Sequence, residues 1–510
     1  MSEQSGPHPE LEEMTIARMR AAMESGELTA RRLSEMYLER IQALDAGGPT
    51  LRSVIETNPD ALAIAEALDR ERAAGSTRGP LHGIPVLLKD NIDTADALHT
   101  TAGSLALLDS RPERDAFVAE RLRAAGAVLL GKANMSEWAN FRSTHSSSGW
   151  SARGGQALNP YSLDRSTSGS SSGSASAVAA NLAAASLGTE TDGSILSPAN
   201  VNGVVGIKPT VGLTSRAGVV PIAHSQDTVG PFGRTVADAA ALLSAIAGPD
   251  PRDPATKAGA GRGHPDYTRF LDADALRGAR LGIPREVFFG YSDKTDAVIE
   301  GAIETLRAAG AVIVDPANIP TAKQMSASES ELTVLLFEIK ADMAAYLATR
   351  VGANPPRTLA DLIAFNEAHA GEEMPFFGQE HFIRAHEKGG LDDPEYLAAL
   401  AENQRLARAE GIDAALVAHQ LDALVMPTGS PAWKIDHVNG DHHGGGASSQ
   451  PAALAGYPAI NVPAGEVHGL PVGLTFMGTA FSEPKLIALA YAFEQATRAR
   501  RAPRYRAVTA

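Results

Sequence analysis

Cysteine is absent from the 510 residues. That excludes disulfides, a thiol nucleophile and any thiolate-held metal. Basic charge is short as well: 45 Lys and Arg stand against 60 Asp and Glu, a formal net charge of −15. Counterion release on a nucleic acid needs a basic face, so no nucleic-acid partner is expected. Long apolar runs are also missing. The longest uncharged stretch, Ser166 to Thr189, is rich in Ser and Gly at one end and does not suit a membrane span. The opening residues are studded with Glu and Arg and hold no apolar h-region, so no secretory signal is expected. What is present is a 44% hydrophobic composition, enough to bury a large core. The baseline expectation is a cytoplasmic protein with no membrane partner.

The segment at about residues 1–75 reads as helical. Thr29 can cap a helix whose apolar positions Leu33, Met36, Tyr37, Ile41 and Leu44 share one face, stopped by Gly47-Gly48-Pro49. A second helix is expected from Asn58-Pro59 to about Arg72. Beyond Gly79, apolar runs such as Ile84 to Leu88 and Ala127 to Leu130 alternate with helical stretches such as Phe117 to Ala125. That alternation predicts a layered α/β fold. Residues 248–265, rich in Pro, Gly, Asp and Arg, read as an exposed connection. Strand and helix resume at Ala279 to Ile283, Asp296 to Ala309 and Ala311 to Val314, and about 330–420 is mostly helical. Strands return at Ala423 to Met426, Ala459 to Pro463 and Val472 to Met477, before a closing helix near Glu483 to Arg498. With strands on both sides of its one linker-like segment, the chain is expected to be a single domain over 1–510.

Several motifs fail on their context. Gly126 to Ala133 fits the spacing of a phosphate loop, but Ala133 replaces the magnesium-binding hydroxyl and the intervening residues read as a strand. Ser482 and Lys485 match SxxK, yet Ser before Glu-Pro is more simply a helix cap. His442-His443 lacks carboxylates at ligand spacing and sits by the flexible Gly444-Gly445-Gly446. Gly169 to Gly173 satisfies GxSxG with Ser171 at its centre, but a polar loop precedes it where the nucleophile elbow needs a strand.

The Ser/Gly loop instead enters a helix-forming stretch, Ala177 to Ala185, and so presents backbone donors outward. A helix of about 13 residues from Ser172 rises roughly 20 Å. A strand of about six residues, Ala185 to Glu190, returns roughly the same distance. The loop Thr191-Asp192-Gly193-Ser194 is therefore expected beside Ser170. Backbone N–H groups just before Ser194 would suit an oxyanion. A serine nucleophile needs a base, and neither turn has a nearby histidine in sequence. Lys89, at the end of the Ile84 to Leu88 run, would be partly desolvated and so able to act in its neutral form. Its simpler alternative is an ion pair with Asp90 or Asp93.

These residues resemble the amidase signature family. The likeness includes GIPVLLKDNIDT around Lys89, GKANMSEWANF from Gly131 and SGSSSGSASAVAANLA from Ser168. It continues in GTETDGSILSPA from Gly188, the NGVVGIKPTVGLTSRAGVVPIAHSQDTVGP block from Asn202 and GYPAINVPAGEVHGLPVGLTFMG from Gly456. The resemblance implies an α/β/α sandwich around a large mixed sheet and a Ser–cis-Ser–Lys triad. Ser194 would be the nucleophile, Ser170 the cis-serine and Lys89 the base, with Thr191, Asp192 and Gly193 as oxyanion-hole or substrate-binding positions. No metal or cofactor is implied. Where the family usually reads GTDTGGS this chain has GTETDGS, and Leu196 and Ser197 stand where an Arg is common. These variants, with NFRSTHSSSGWSARGGQ from Asn140, look like those of bacterial peptide amidases, which turn C-terminal carboxamides into acid and ammonia. The expected substrate is a peptide or small-molecule amide, with no obligate protein partner. The alternatives are an amidase for small aliphatic or aryl amides, or one component of a tRNA-dependent amidotransferase assembly. Trp138, Phe141, Trp150 and Trp433 are candidate walls of the substrate site.

Overall fold

A computed structural model describes residues 6–509. The first five residues of the expected N-terminal segment, and residue 510, lie outside the described residues. Eleven strands form one sheet. In chain order they are β1 (Val54–Thr57), β2 (Pro85–Lys89), β3 (Val128–Ala133), β4 (Ala185–Glu190), β5 (Val205–Lys208) and β6 (Thr228–Gly233). There follow β7 (Arg280–Gly282), β8 (Val312–Val314), β9 (Ala423–Pro427), β10 (Ala459–Val467) and β11 (Leu470–Met477). Across the sheet the order is β1-β3-β2-β4-β6-β5-β10-β11-β9-β7-β8. β2 runs parallel to both β3 and β4. Every pairing from β4 through β6, β5, β10 and β11 to β9 is antiparallel, and β7 is parallel to β9 and β8. The sheet is therefore mixed.

Side chains alternate across a strand, so each strand feeds two cores. On β9, Val425 joins Leu281, Ile460 and Leu474 on one face. Its neighbours Leu424 and Met426 join Leu196, Leu406 and Met477 on the other. Helices Val236–Ile246, Asp293–Ala308 and Glu483–Thr497 cover the first face, and Ala322–Ala327 and Gln450–Ala455 the second. The result is three layers, α/β/α. Among the described residues no helix is long and apolar enough to cross a membrane.

Local departures from the sequence expectations have identifiable causes. Thr29 caps Ala30–Arg40, accepting from Arg32 N at 3.0 Å, but the 1–75 segment is not wholly helical. Val54–Thr57 is an edge strand on β3, held in place by Asp45, whose carboxylate accepts the amides of Ser53 (2.6 Å) and Val54 (3.0 Å). The 330–420 stretch is likewise interrupted, by Arg350–Gly352 pairing with Ser110–Pro112. Residues 248–265 are not simply exposed: Asp250 and Asp253 are buried, and Asp253 holds Arg216 at 2.6 Å. Ser482 stands at the start of the last helix without making a side-chain capping bond.

Candidate active site

The parallel pair β2 and β4 brings two distant stretches to the same end of the sheet, with Val86 opposite Ala185 and Leu88 opposite Leu187. Lys89, the last residue of β2, is completely buried. Its Nζ donates to Ser170 Oγ at 2.7 Å, to Thr189 Oγ1 at 2.8 Å and to the Thr189 carbonyl at 3.3 Å. Ser170 Oγ lies 3.0 Å from Ser194 Oγ. The peptide bond Gly169–Ser170 is cis. Neither Asp90 nor Asp93 pairs with the lysine. Asp90 faces Thr101, Gly103 and Arg153, and Asp93 faces Tyr346 and Arg350.

The out-and-back path differs in detail from the sequence estimate. The helix entered by the serine loop is Ser172–Ala179, eight residues long, and residues 180–184 complete the crossing before β4 returns. The two serine turns still meet. Close packing makes glycine necessary at two points: a Cβ on Gly169 would stand 2.1 Å from Ser136 Oγ, and one on Gly188 2.6 Å from Ser171 Oγ. Ser171, the centre of GxSxG, is fully buried and donates to the Thr189 carbonyl at 3.0 Å. Its hydroxyl is tied to β4, and its amide donates to the Ser194 carbonyl at 3.3 Å.

The turn Thr191-Asp192-Gly193-Ser194 is gripped at both ends. Glu190 Oε2 accepts the amides of Ile195 at 2.6 Å and Leu196 at 2.9 Å. At the other end Thr191 Oγ1 donates to Asp227 at 2.6 Å, while Gln226 Nε2 donates to the Thr191 carbonyl at 3.3 Å. Gly193 adopts φ 78°, a left-handed conformation natural to glycine. Thr191 and Ser194 are each 8% exposed, and Asp192 is the exposed member of the turn. Although the residue is exposed, its carboxyl group is crowded by protein. That desolvation and the neighbouring Glu331 carboxylate raise its pKa, while a hydrogen bond from Ser449 opposes the rise.

Lys89 is held far from its ordinary charge state. Burial lowers its pKa to about 7, against the upward pull of the Asp227 and Glu190 carboxylates. An amine so placed is substantially neutral near pH 7 and has a lone pair to offer. The arrangement can withdraw a proton from a hydroxyl and pass it along a short chain of oxygens.

The candidate walls separate into two kinds. Trp138 and Phe141 belong to a packed core, the first against Phe382 and the second stacked on His381. Trp150 meets Phe376 and Phe377 edge-on, and Phe376 is 42% exposed. Trp433 lies across from His443 at a 6.0 Å ring separation. This rim reaches the serines through Ser136, whose Oγ accepts from Gly149 N at 2.8 Å and whose amide donates to the Ser170 carbonyl at 3.1 Å. Leu196 packs in the second core, and Ser197 Oγ stands 2.7 Å from Ser168 Oγ. One trio, His224, Glu338 and Asp342, has ligand atoms within 4.8 Å of one another, but Ser225 and Tyr396 already engage Glu338.

Sequence reasoning missed Thr189, Asn91, Glu190, Gln226 and Asp227. Gln226-Asp227 sits within the motif block that begins at Asn202, and the β4–β6 register, with Glu190 opposite Thr228, is what carries it to the turn.

The amidase family model matches residues 32–487. The structure is similar to that of the native peptide amidase from Stenotrophomonas maltophilia, with a TM-score of 0.92 and 56% identity over 97% of this chain and 99% of that one. A probable amidase of Arabidopsis thaliana is 48% identical over 503 residues, 97% of this chain and 92% of its own length. A glutamyl-tRNA(Gln) amidotransferase subunit from Chloroflexus aurantiacus is 39% identical over 499 residues, 96% and 97% of the two chains.

Proposed function

The chain belongs to the amidase family and is an amide hydrolase, and from that premise we propose that it is a peptide amidase working through Lys89, Ser170 and Ser194. The observation that carries the triad is the unbroken contact from Lys89 Nζ to Ser170 Oγ (2.7 Å) to Ser194 Oγ (3.0 Å). Likeness to the S. maltophilia peptide amidase along almost the whole chain supports the substrate class.

Neutral Lys89 has two hydrogens and one lone pair. The Thr189 carbonyl and hydroxyl oxygens take the hydrogens, which turns the lone pair toward Ser170. Hydroxyl hydrogens rotate freely, so the Ser170 proton moves to Lys89 as the Ser194 proton moves to Ser170. Ser194 Oγ then bonds to the carboxamide carbon, and amides of the turn from Thr191 to Ser194 receive the oxyanion. The C–N bond breaks as Lys89 returns its proton through Ser170, and ammonia departs. A water molecule, deprotonated along the same path, hydrolyses the acyl-Ser194 ester to the free acid. Leu196 and Ser197 replace an arginine common in the family, so the acyl pocket suits an uncharged, peptide-like group.

The purified chain alone, given a peptide carboxamide, is expected to release one ammonia per peptide acid formed. Activity confined to small aliphatic or aryl amides would overturn the substrate class. Ammonia transfer only in the presence of partner proteins and a charged tRNA would instead favour the amidotransferase reading, which the Chloroflexus relative keeps in view.

A further inference from the structure

Beside Lys89 lies a small polar cavity in which Asn91 and Asp227 take no part in the reaction as written. Thr189 Oγ1 already receives two donors, Lys89 Nζ at 2.8 Å and Asn91 Nδ2 at 3.0 Å. Its own hydrogen must therefore point elsewhere. Asn91 is 2% exposed, and its Oδ1 has no hydrogen-bond partner. Both side chains line a cavity of about 10 Å³ together with Thr191, Asp227 and Arg216. That is room for one water molecule, and the lining offers the two to four polar partners such a water needs. Asp227 and Arg216 also line a larger outer cavity of about 440 Å³.

Asp227 is well seated for a role at this point. One carboxylate oxygen accepts from Thr191 Oγ1 at 2.6 Å, and the other accepts the amides of Ile222 (2.9 Å) and Ala223 (3.0 Å). It is 9% exposed. We infer that Asp227 is a positioning residue for amide hydrolysis, holding the turn before Ser194 through Thr191. Through a single water shared with Asn91 and Thr189, it also faces the shell of hydrogen bonds around Lys89. The inference rests on the reading of Lys89 as the base.

The two parts of this role separate experimentally. The carboxylates facing Lys89 are Asp227 and Glu190, both of which favour its ammonium form. Asp227 is faced by Arg216, with Arg114, Arg252, Asp253, His224 and Asp342 around the outer cavity. Asp227→Asn keeps the geometry, because its oxygen can take the two amides while its NH₂ donates to Thr191 Oγ1. It removes the charge. The acid limb of kcat/KM is then expected to move to lower pH by roughly 1 unit, the lower end of what a nearby opposite charge does. Thr191→Val cuts the link to the turn and leaves the charge, so kcat should fall at every pH with the limb unmoved. A limb unmoved in Asp227→Asn overturns the inference, and so does an equal shift in His224→Gln, which would move the effect to the outer surface. Lys89→Arg is measured alongside: retained activity there defeats the reading of Lys89 itself, whereas an inactive Lys89→Arg with an unshifted Asp227→Asn defeats only the role of Asp227. Should Asp227→Asn fail to fold, a high-resolution crystal structure of the native enzyme decides the water. An ordered water within hydrogen-bond reach of both Asn91 Oδ1 and Asp227 supports the inference, and a cavity without one overturns it.

Discussion

Ser170 Oγ and Ser194 Oγ stand 3.0 Å apart although 24 residues separate them. Both belong to turns at one end of the sheet, and Ser171, one residue from the first of them, has its hydroxyl bonded to the Thr189 carbonyl. A serine-directed phosphonate is therefore expected to label Ser194. Ser194→Ala should lower kcat by about 10⁴-fold or more, the scale on which hydrolases lose their nucleophile, with thermal unfolding little changed. Peptide mapping of the adduct is the check, and an adduct on Ser171 would refute the assignment.

Lys89 is expected to give the pH profile its acid side. With a pKa near 7 set by burial against two carboxylates, the amine is protonated below that pH and has no lone pair for Ser170. kcat/KM should fall about tenfold per unit as pH drops below this value. Lys89→Arg keeps a cation that cannot lose its proton near neutral pH, so it should be nearly inactive throughout. Normal turnover by that variant would make the lysine a structural cation.

Glu190 is expected to matter through the amides it holds. Glu190→Ala leaves the N–H groups of Ile195 and Leu196 buried without an acceptor, at a cost of about 2–5 kcal/mol in stability. Chemical denaturation should show that loss, and kcat should fall because the turn is released. Glu190→Gln retains an acceptor oxygen and should recover most of both. If Glu190→Ala were as stable and active as the parent, the grip would be incidental.

The rim predicts a selective effect on binding. Phe376 is half-exposed and packs on Trp150. Phe376→Ala should raise KM for peptide amides several-fold with kcat nearly unchanged, since it touches none of the reacting atoms. A fall in kcat at constant KM would place the residue outside the substrate path. Comparing a neutral peptide amide with a malonamate-like acid on the parent enzyme tests the pocket further, and the neutral amide should be preferred.

Much of this architecture was legible in the sequence because it rests on local signals. The apolar run ending at Lys89, the cap at Thr29 and the return strand Ala185–Glu190 each follow from patterning over a few residues. Val54–Thr57 was not legible, because an edge strand gains its reality from β3, more than seventy residues later. Spacing brings the two serine turns together and offers Lys89 as a base, and the resemblance to the amidase signature family is what implies the three roles. Thr189 and Asp227 were not, since a threonine in a strand and an aspartate after a loop carry no signal until pairing of β4 with β6 sets them beside Thr191 and the lysine. The tryptophans show the same limit: a large aromatic ring reads alike whether it fills a core, as Trp138 does, or stands at a rim.

The division of labour along the chain has an evolutionary consequence. Every residue assigned to bond cleavage lies between Lys89 and Asp227, on strands of the sheet or in the turns at one end of them. Phe376, Phe377, Trp433 and His443, proposed at the mouth of the site, come from later segments outside those strands. Substitutions, insertions or exchanges in the later segments can therefore change which amides are admitted without disturbing the reacting groups. Selection for a new substrate, natural or in the laboratory, should accumulate changes around 370–387 and 430–446 while leaving the first half nearly untouched.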